Sequence, residues 1–418
     1  MNWNDEALAK YMQIRYIKLH FALEILEDGH LPKSKASMLR GGMGDMLLMM
    51  NCVRDSNHCE ACDFSDECLA QRMLYAPMKI RPKFMTGKDS EGYVIECEDT
   101  DEEYAAGDEL EFNLLLFGSS IVYFSQFVQA FHSLGMAGLG KERLRYRIAR
   151  VTNTNRELLL EDGIFRKDRY RIRRVEEYVR YRMKRFEDGQ DALLVFHTPL
   201  SMKYRGDFLN TFEPLPILTA AERRLYILNC FEGRSEGEDY ARVVIGGKSG
   251  EEDDVATGYS ESDGEGCEDG VIIENCYEGA DVASGHSKGE GYEEDAIKRD
   301  SHVRADAPTG NYEGERCEEG VMPDTDIVEG SQGSRMKAPI ILSHVPEKVE
   351  ERVFRDGKPR FSGTQNRKMV LRGIRGSCKL TGLDQTALAL LFAGELLHIG
   401  KNTNFGFGRY TVKRIEEV

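Results

Sequence analysis

Between positions 14 and 25 the chain alternates, with Ile17, Leu19, Phe21, Leu23 and Ile25 on one face and Tyr16, Lys18 and His20 on the other. A strand buried on one side has this period of two. Asp28, Gly29 and Pro32 interrupt it. From Ser37 to Met50 the apolar positions change period, and Met38, Leu39, Met43, Met46 and Leu47 fall at helical spacing although Gly41, Gly42 and Gly44 lie among them. Residues 92–97 and 109–118 read as strands. Ser119 or Ser120 can cap a helix whose Ile121, Phe124, Val128 and Phe131 share one face. Gly135, Gly138 and Gly140 end that helix, and residues 143–151 alternate again.

Strand, helix, strands, helix, strand is the order of a ferredoxin-like module. The second half repeats it. Residues 191–202 form a strand closed by Pro199, Thr219 and Glu222 form a capping box ahead of the helix RRLYILNCF, and strands near 368–380, a helix over 384–397 and a strand over 407–415 complete the set. The predicted fold class is α+β, with two tandem ferredoxin-like (RRM-like) domains. The first is 1–153 and carries a cysteine cluster at 52–68; a basic linker spans 154–190; the second is 191–418, interrupted by 233–340.

That interruption is rich in Gly, Glu, Asp and Ser and poor in large apolar side chains, so it cannot bury enough surface to offset the entropy of ordering. Disorder is expected there. GEGCEDGVI at 264–272 and GERCEEGVM at 314–322 are imperfect copies, too few for a solenoid. The segment also distorts the charge balance. The whole chain of 418 residues carries −16, but residues 247–337 hold 25 Asp+Glu against 8 Lys+Arg, which leaves 47 acidic and 48 basic residues elsewhere. Within that neutral remainder, 141–186 has 16 Lys+Arg against 7 Asp+Glu, a footprint suited to phosphate, although a charge run taken alone favours a solvated helix face. No apolar run approaches the roughly 20 residues that span a bilayer, and the N-terminus lacks a signal sequence, so the cytoplasm is the expected location and no membrane partner is expected.

Cys52, Cys59, Cys62 and Cys68 read C-x6-C-x2-C-x5-C among polar neighbours. Four thiolates close a tetrahedral shell, so structural zinc is favoured, with an iron–sulfur cluster as the rival and His58 as a substitute ligand. At the other end the apolar run LLFAGELL meets His398, Gly400, Lys401, Phe405, Gly406, Phe407, Gly408 and Arg409. Glycines permit positive φ and close approach, the two cations suit phosphate, and the phenylalanines can stack on bases or simply pack in a core.

RFSGTQNRKMVLRGIRGSCKL at 360–380 together with this tail resembles the C-terminal half of the CRISPR precursor-RNA processing endoribonucleases of the RAMP superfamily. LPKSKASMLRGGMGDML at 31–47, the cysteine cluster and SLGMAGLGKERLRYRI at 133–148 fit the same family. The resemblance implies cleavage of CRISPR repeat RNA without a catalytic metal, the 2′-hydroxyl attacking the scissile phosphate to leave a 2′,3′-cyclic phosphate and a 5′-hydroxyl. Such chemistry needs a base, an acid and cationic donors, and a histidine serves as base or acid. His286 and His302 lie in the insertion, His132 on a core element and His20 on the polar face of the first strand. His30, His197, His344 and His398 remain. His398, beside the glycine loop, is the first choice and His30, in the loop before the first helix, the second. The resemblance would place a histidine after GGMG, where this chain has Asp45. RNA contacts implied by resemblance are Arg40, Lys203, Arg205, Gln365, Arg367, Gly400, Lys401, Phe405, Gly406, Phe407, Gly408 and Arg409. Repeat RNA is the expected partner, with a type III-like effector complex as a further one. The alternative is a non-catalytic RAMP subunit that only binds guide RNA.

Overall fold

A computed structural model describes residues 6–415 apart from 55–58, 60–61, 76–77, 79–80, 83–84, 86–91, 162, 187–189, 205, 233–242, 246–339 and 363–366. The first layer is an antiparallel sheet built from β1 (Arg15–Ile25), β2 (Tyr93–Glu96), β3 (Glu109–Phe117) and β4 (Tyr146–Thr152), in the order β2-β3-β1-β4. β1 pairs Tyr16 with Phe117 on one side and Phe21 with Val151 on the other. Its alternation is realised as read: Ile17, Leu19, Phe21, Leu23 and Ile25 enter a core closed by α2 (Lys35–Asn51) and α4 (Phe124–Ala137). A short α1 (Glu6–Tyr11) precedes the sheet and a short α3 (Leu69–Leu74) follows the cysteines.

The second sheet has the same connectivity. β5 (Ala192–Leu200), β6 (Glu347–Ser362), β7 (Arg367–Thr381) and β8 (Tyr410–Arg414) lie in the order β6-β7-β5-β8, all antiparallel, with α6 (Pro214–Phe231) and α7 (Gln385–Leu397) packed together beside it. α7 is buried along nearly its whole length, and Asp384 caps it by accepting from the Ala387 amide at 2.7 Å. Tyr16, Val94, Leu115 and Phe117, on the face of the first sheet turned away from α2 and α4, join this second core. One end of that face is therefore apolar and covered; the rest carries the polar residues described below.

Four expectations change. α6 begins at Pro214, because proline at the first turn loses no helical hydrogen bond, so Thr219 and Glu222 lie inside the helix and cap nothing. A six-residue 3-10 turn, Gly118–Tyr123, leads into α4, and neither Ser119 nor Ser120 caps it. The basic linker contains α5 (Val175–Met183), whose Val175, Val179 and Met183 enter the second core. β6, a sixteen-residue partner of β7, was not expected as a strand. Of the insertion, all but its margins lies outside the described residues; Val243–Ile245 pairs in parallel with Ile340–Leu342 at those margins. No helix among the described residues is long and apolar enough to cross a membrane.

Candidate functional site

Residues 398–409 form a tongue laced to the second sheet. Lys401 N–H donates to Ser201 O at 2.7 Å, Gly408 N–H to Pro199 O at 2.9 Å, and Arg409 N–H to the Thr198 hydroxyl at 2.9 Å. Gly406 (φ 78°) is needed twice over, since a side chain there would be strained and its Cβ would stand 2.7 Å from the Ile95 carbonyl on β2. The tongue is thus wedged against the first sheet, and Arg40 of α2 lies over the Phe405 ring at 5.1 Å. Phe405, Gly406, Phe407 and Gly408 are buried and Lys401 is exposed.

A cleft of about 240 Å³ opens over the tongue, lined among others by Lys33, Lys35, Glu98, His197, Arg375 and Arg409. The N-terminus of the seventeen-residue α2 faces it, and Ser34 there makes no side-chain cap. Unpaired helix N–H groups and the dipole favour an anion at such an end. Most of the cations are already balanced. Lys35 is buried and bridges to Asp99 at 3.2 Å, Lys33 stands 3.5 Å from Glu102, Arg375 3.6 Å from Asp356, and Arg409 binds Glu98. Glu98 is 69% exposed and so is free to swing away when a phosphate competes for Arg409.

The histidines separate by access. His398 ends α7 with φ 59° and has no exposed surface; its Nε2 lies 3.0 Å from Glu96 and its Nδ1 3.1 Å from the Phe407 carbonyl. Burial pushes its pKa down, and the Glu96 carboxylate pulls it partly back. The expected imidazole facing a ribose is therefore sealed in this conformation. His30 is open to water between Glu103 and Glu142, at 3.9 and 3.7 Å, and is not among the residues lining the cleft. His197 does line it. Its amide donates to Arg409 O at 2.9 Å, its Nε2 lies 3.0 Å from the Thr411 hydroxyl, and burial followed by the Arg409 charge lowers its pKa, keeping it neutral near pH 7. Its position one strand from the glycine tail could not be read without the β5–β8 pairing.

Of the other expected contacts, Arg40 faces Phe405 and its Nε is buried, not turned to solvent. Lys203 lies over the Phe208 ring at 5.6 Å in a two-strand ladder that follows β5. Gly400 is half-buried, with φ 86°. Arg367 begins β7, while Arg205 and Gln365 lie outside the described residues, as does His58. Cys52, Cys59, Cys62 and Cys68 are free thiols, all half-buried. Among the described residues no three His, Cys, Asp or Glu side chains form a metal-holding group. The Cys59 thiol is nevertheless raised by burial and then by Cys68, Cys52 and Cys62, so the four share one neighbourhood.

The family model of the CRISPR-associated endoribonuclease Cas6 matches residues 194–410, and a second, described as an N-terminal domain, matches 14–177. The first covers more than half of the chain, which belongs to the Cas6 family. No curated protein matches. Among solved structures, a partial Cas6-RT-Cas1–Cas2 complex aligns with TM-score 0.45 at 10% identity, covering 96% of this chain and 46% of that one. A Cas6 product complex aligns with TM-score 0.41 at 12% identity, covering 95% and 100%. Thermus thermophilus Cas6 aligns with TM-score 0.39 at 11% identity, covering 96% and 99%. The chain spans less than half the length of the Cas6-RT-Cas1 chains it matches, 46% of one and 29% of another.

Proposed function

We propose that this chain cleaves CRISPR repeat RNA in precursor transcripts, in the cleft over the glycine tongue. The observation that carries the reading is the convergence there of His197, Arg409, Arg375 and the α2 N-terminus, on a tongue inside the segment matched by the Cas6 family. The upstream 2′-hydroxyl gives its proton to neutral His197 and attacks phosphorus. The P–O bond to the downstream ribose breaks, leaving a 2′,3′-cyclic phosphate and a 5′-oxygen that takes a proton from water. Arg409, released from Glu98, and Arg375 stabilise the charge of the phosphorane, and no step needs a metal. The two equivalent strand orders support two ferredoxin-like modules around this cleft.

His398 and His30 keep other roles, the first holding the tongue and the second lying at the surface between Glu103 and Glu142. The sealed state of His398 also favours a second reading, a non-catalytic subunit that binds guide RNA within a larger effector assembly. Incubation of the purified chain with labelled repeat RNA in EDTA separates them. Cleavage to a cyclic-phosphate end, lost in His197→Ala, supports the first; binding with no cleavage supports the second and sinks the first. The four cysteines, as a donor set, fit zinc in a structural role, with one zinc per chain by elemental analysis as the expected result and none as the result against it.

A further inference from the structure

We propose that Glu96 is a positioning residue: its carboxylate clasps the glycine tongue to the first sheet and thereby sets where Arg409 and the tongue backbone stand in the cleft. The proposal rests on the cleavage reading for its consequence, but the clasp itself does not. Glu96 ends β2 with 5% of its surface exposed. Its Oε2 accepts from Lys18 Nζ at 2.7 Å and from Asn113 Nδ2 at 3.0 Å, so β1 and β3 hold it from one side. Its Oε1 faces the tongue, with His398 Nε2 at 3.0 Å and Arg409 Nε at 3.9 Å. One carboxylate thus joins residues 302 positions apart in sequence.

The buried charge is compensated by Lys18, and the arrangement has geometric consequences. His398 Nδ1 lies 3.1 Å from the Phe407 carbonyl, and two residues further on Arg409 reaches the cleft wall. Gly406 presses on Ile95, the neighbour of Glu96, so the tongue meets β2 at two adjoining points. Placement of a group by about 1 Å can change a rate on the order of 100-fold, so a clasp this close to the cleft matters for turnover and less for RNA affinity.

The test uses Glu96→Gln in the full chain, with His398→Gln as the second variant should the first not fold. Amide hydrogen exchange of 400–409 in the RNA-free protein reads the clasp directly and is expected to accelerate at least ~tenfold. Single-turnover cleavage at saturating repeat RNA is expected to fall on the order of 100-fold, with Kd changed less than about threefold and the pH midpoint of cleavage unmoved. Unchanged exchange in either variant overturns the clasp. Faster exchange with wild-type turnover overturns the positioning role. Faster exchange in a chain whose wild type does not cleave leaves the clasp standing and removes the cleavage reading instead.

Discussion

On the open face of the first sheet, Arg147 meets Glu24 at 2.7 Å and Arg150 meets Glu109 at 2.6 Å, all four side chains at least 29% exposed. Beside the second sheet, Arg182 of α5 makes a two-pronged bond to Glu395 of α7 at 3.0 and 3.2 Å, with 17% and 7% exposed. The strand orders are the same and the use of charge is opposite. In water an ion pair is screened and contributes little, whereas in a dry site removing one partner strands the other. Charge beside the second sheet therefore holds elements in place, as Lys18 and Glu96 do where the first sheet is covered, while the pairs on the open face of the first sheet mostly cancel one another.

This contrast revises the meaning of the basic stretch at 141–186. Arg145, Arg147, Arg150, Arg166, Arg169, Arg171, Arg180 and Arg182, eight of the sixteen cations there, are paired with carboxylates, so the count of positive charge overstates what a phosphate would meet unopposed. Exposed Arg352, Arg355 and Arg372 of the β6–β7 hairpin have no carboxylate partner among the described residues.

The largest expected effect is at the buried pair. Arg182→Ala strands Glu395 and the Val412 carbonyl that Arg182 also binds, and is expected to cost about 3–5 kcal/mol in denaturant unfolding. Arg182→Met with Glu395→Leu removes both charges and should recover most of that loss. A loss no greater than that of a first-sheet pair would erase the distinction between the two sheets.

Acid tests the clasp between them. Burial alone would raise the Glu96 pKa, but Lys18, His398 and Arg409 together hold it far below its ordinary 4.5. A carboxyl depressed in the folded state stabilises above its unfolded pKa, and that stability drains away as pH falls below 4.5. The slope approaches about 1.4 kcal/mol per pH unit for one proton. Glu96→Gln should flatten this limb of a stability-against-pH curve, and an unchanged slope would mean that other carboxyls carry it. Catalysis should respond in a different range. Because His197 is lowered from 6.5, cleavage should be level from pH 7 to 8 and fall up to about tenfold per unit only below 6.5. A midpoint above 7 would remove His197 from the base role.

What could be read from the chain was whatever had local cause. The period-two pattern of β1, the apolar length of α7 and the glycines of the tongue each follow from neighbours within a few residues. β6 escaped because its sequence, EKVEERVFRDGKPRFS, is charged on both faces, as a projecting hairpin strand can be, and shows no apolar alternation. The pairing of charges escaped for a different reason. Glu24 and Arg147 lie 123 positions apart, and Glu96 and His398 lie 302 apart; nothing in either local sequence names the other. His398 was identified as exceptional by its place before the glycines. Only the packing of the tongue against β2 reveals that this place is inside.

The smallest effects discriminate most finely between the two surfaces. Arg147→Ala should change stability by less than about 1 kcal/mol and leave RNA affinity within twofold, because a phosphate would have to displace Glu24 to reach it. Arg355→Ala removes an exposed cation with no such competitor. If the hairpin follows the RNA backbone, the loss is about threefold in affinity at 0.1 M salt, spread evenly over repeat sequences, with the slope of log K against log salt reduced by roughly 0.7 to 0.9. The paired measurement matters more than either value. Equal losses at Arg147 and Arg355 would mean that carboxylates on the first sheet yield readily to phosphate, and the cation count at 141–186 would again describe the RNA path. A loss confined to Arg355 means that position in the fold, by fixing which cations already have partners, decides where a polyanion can bind.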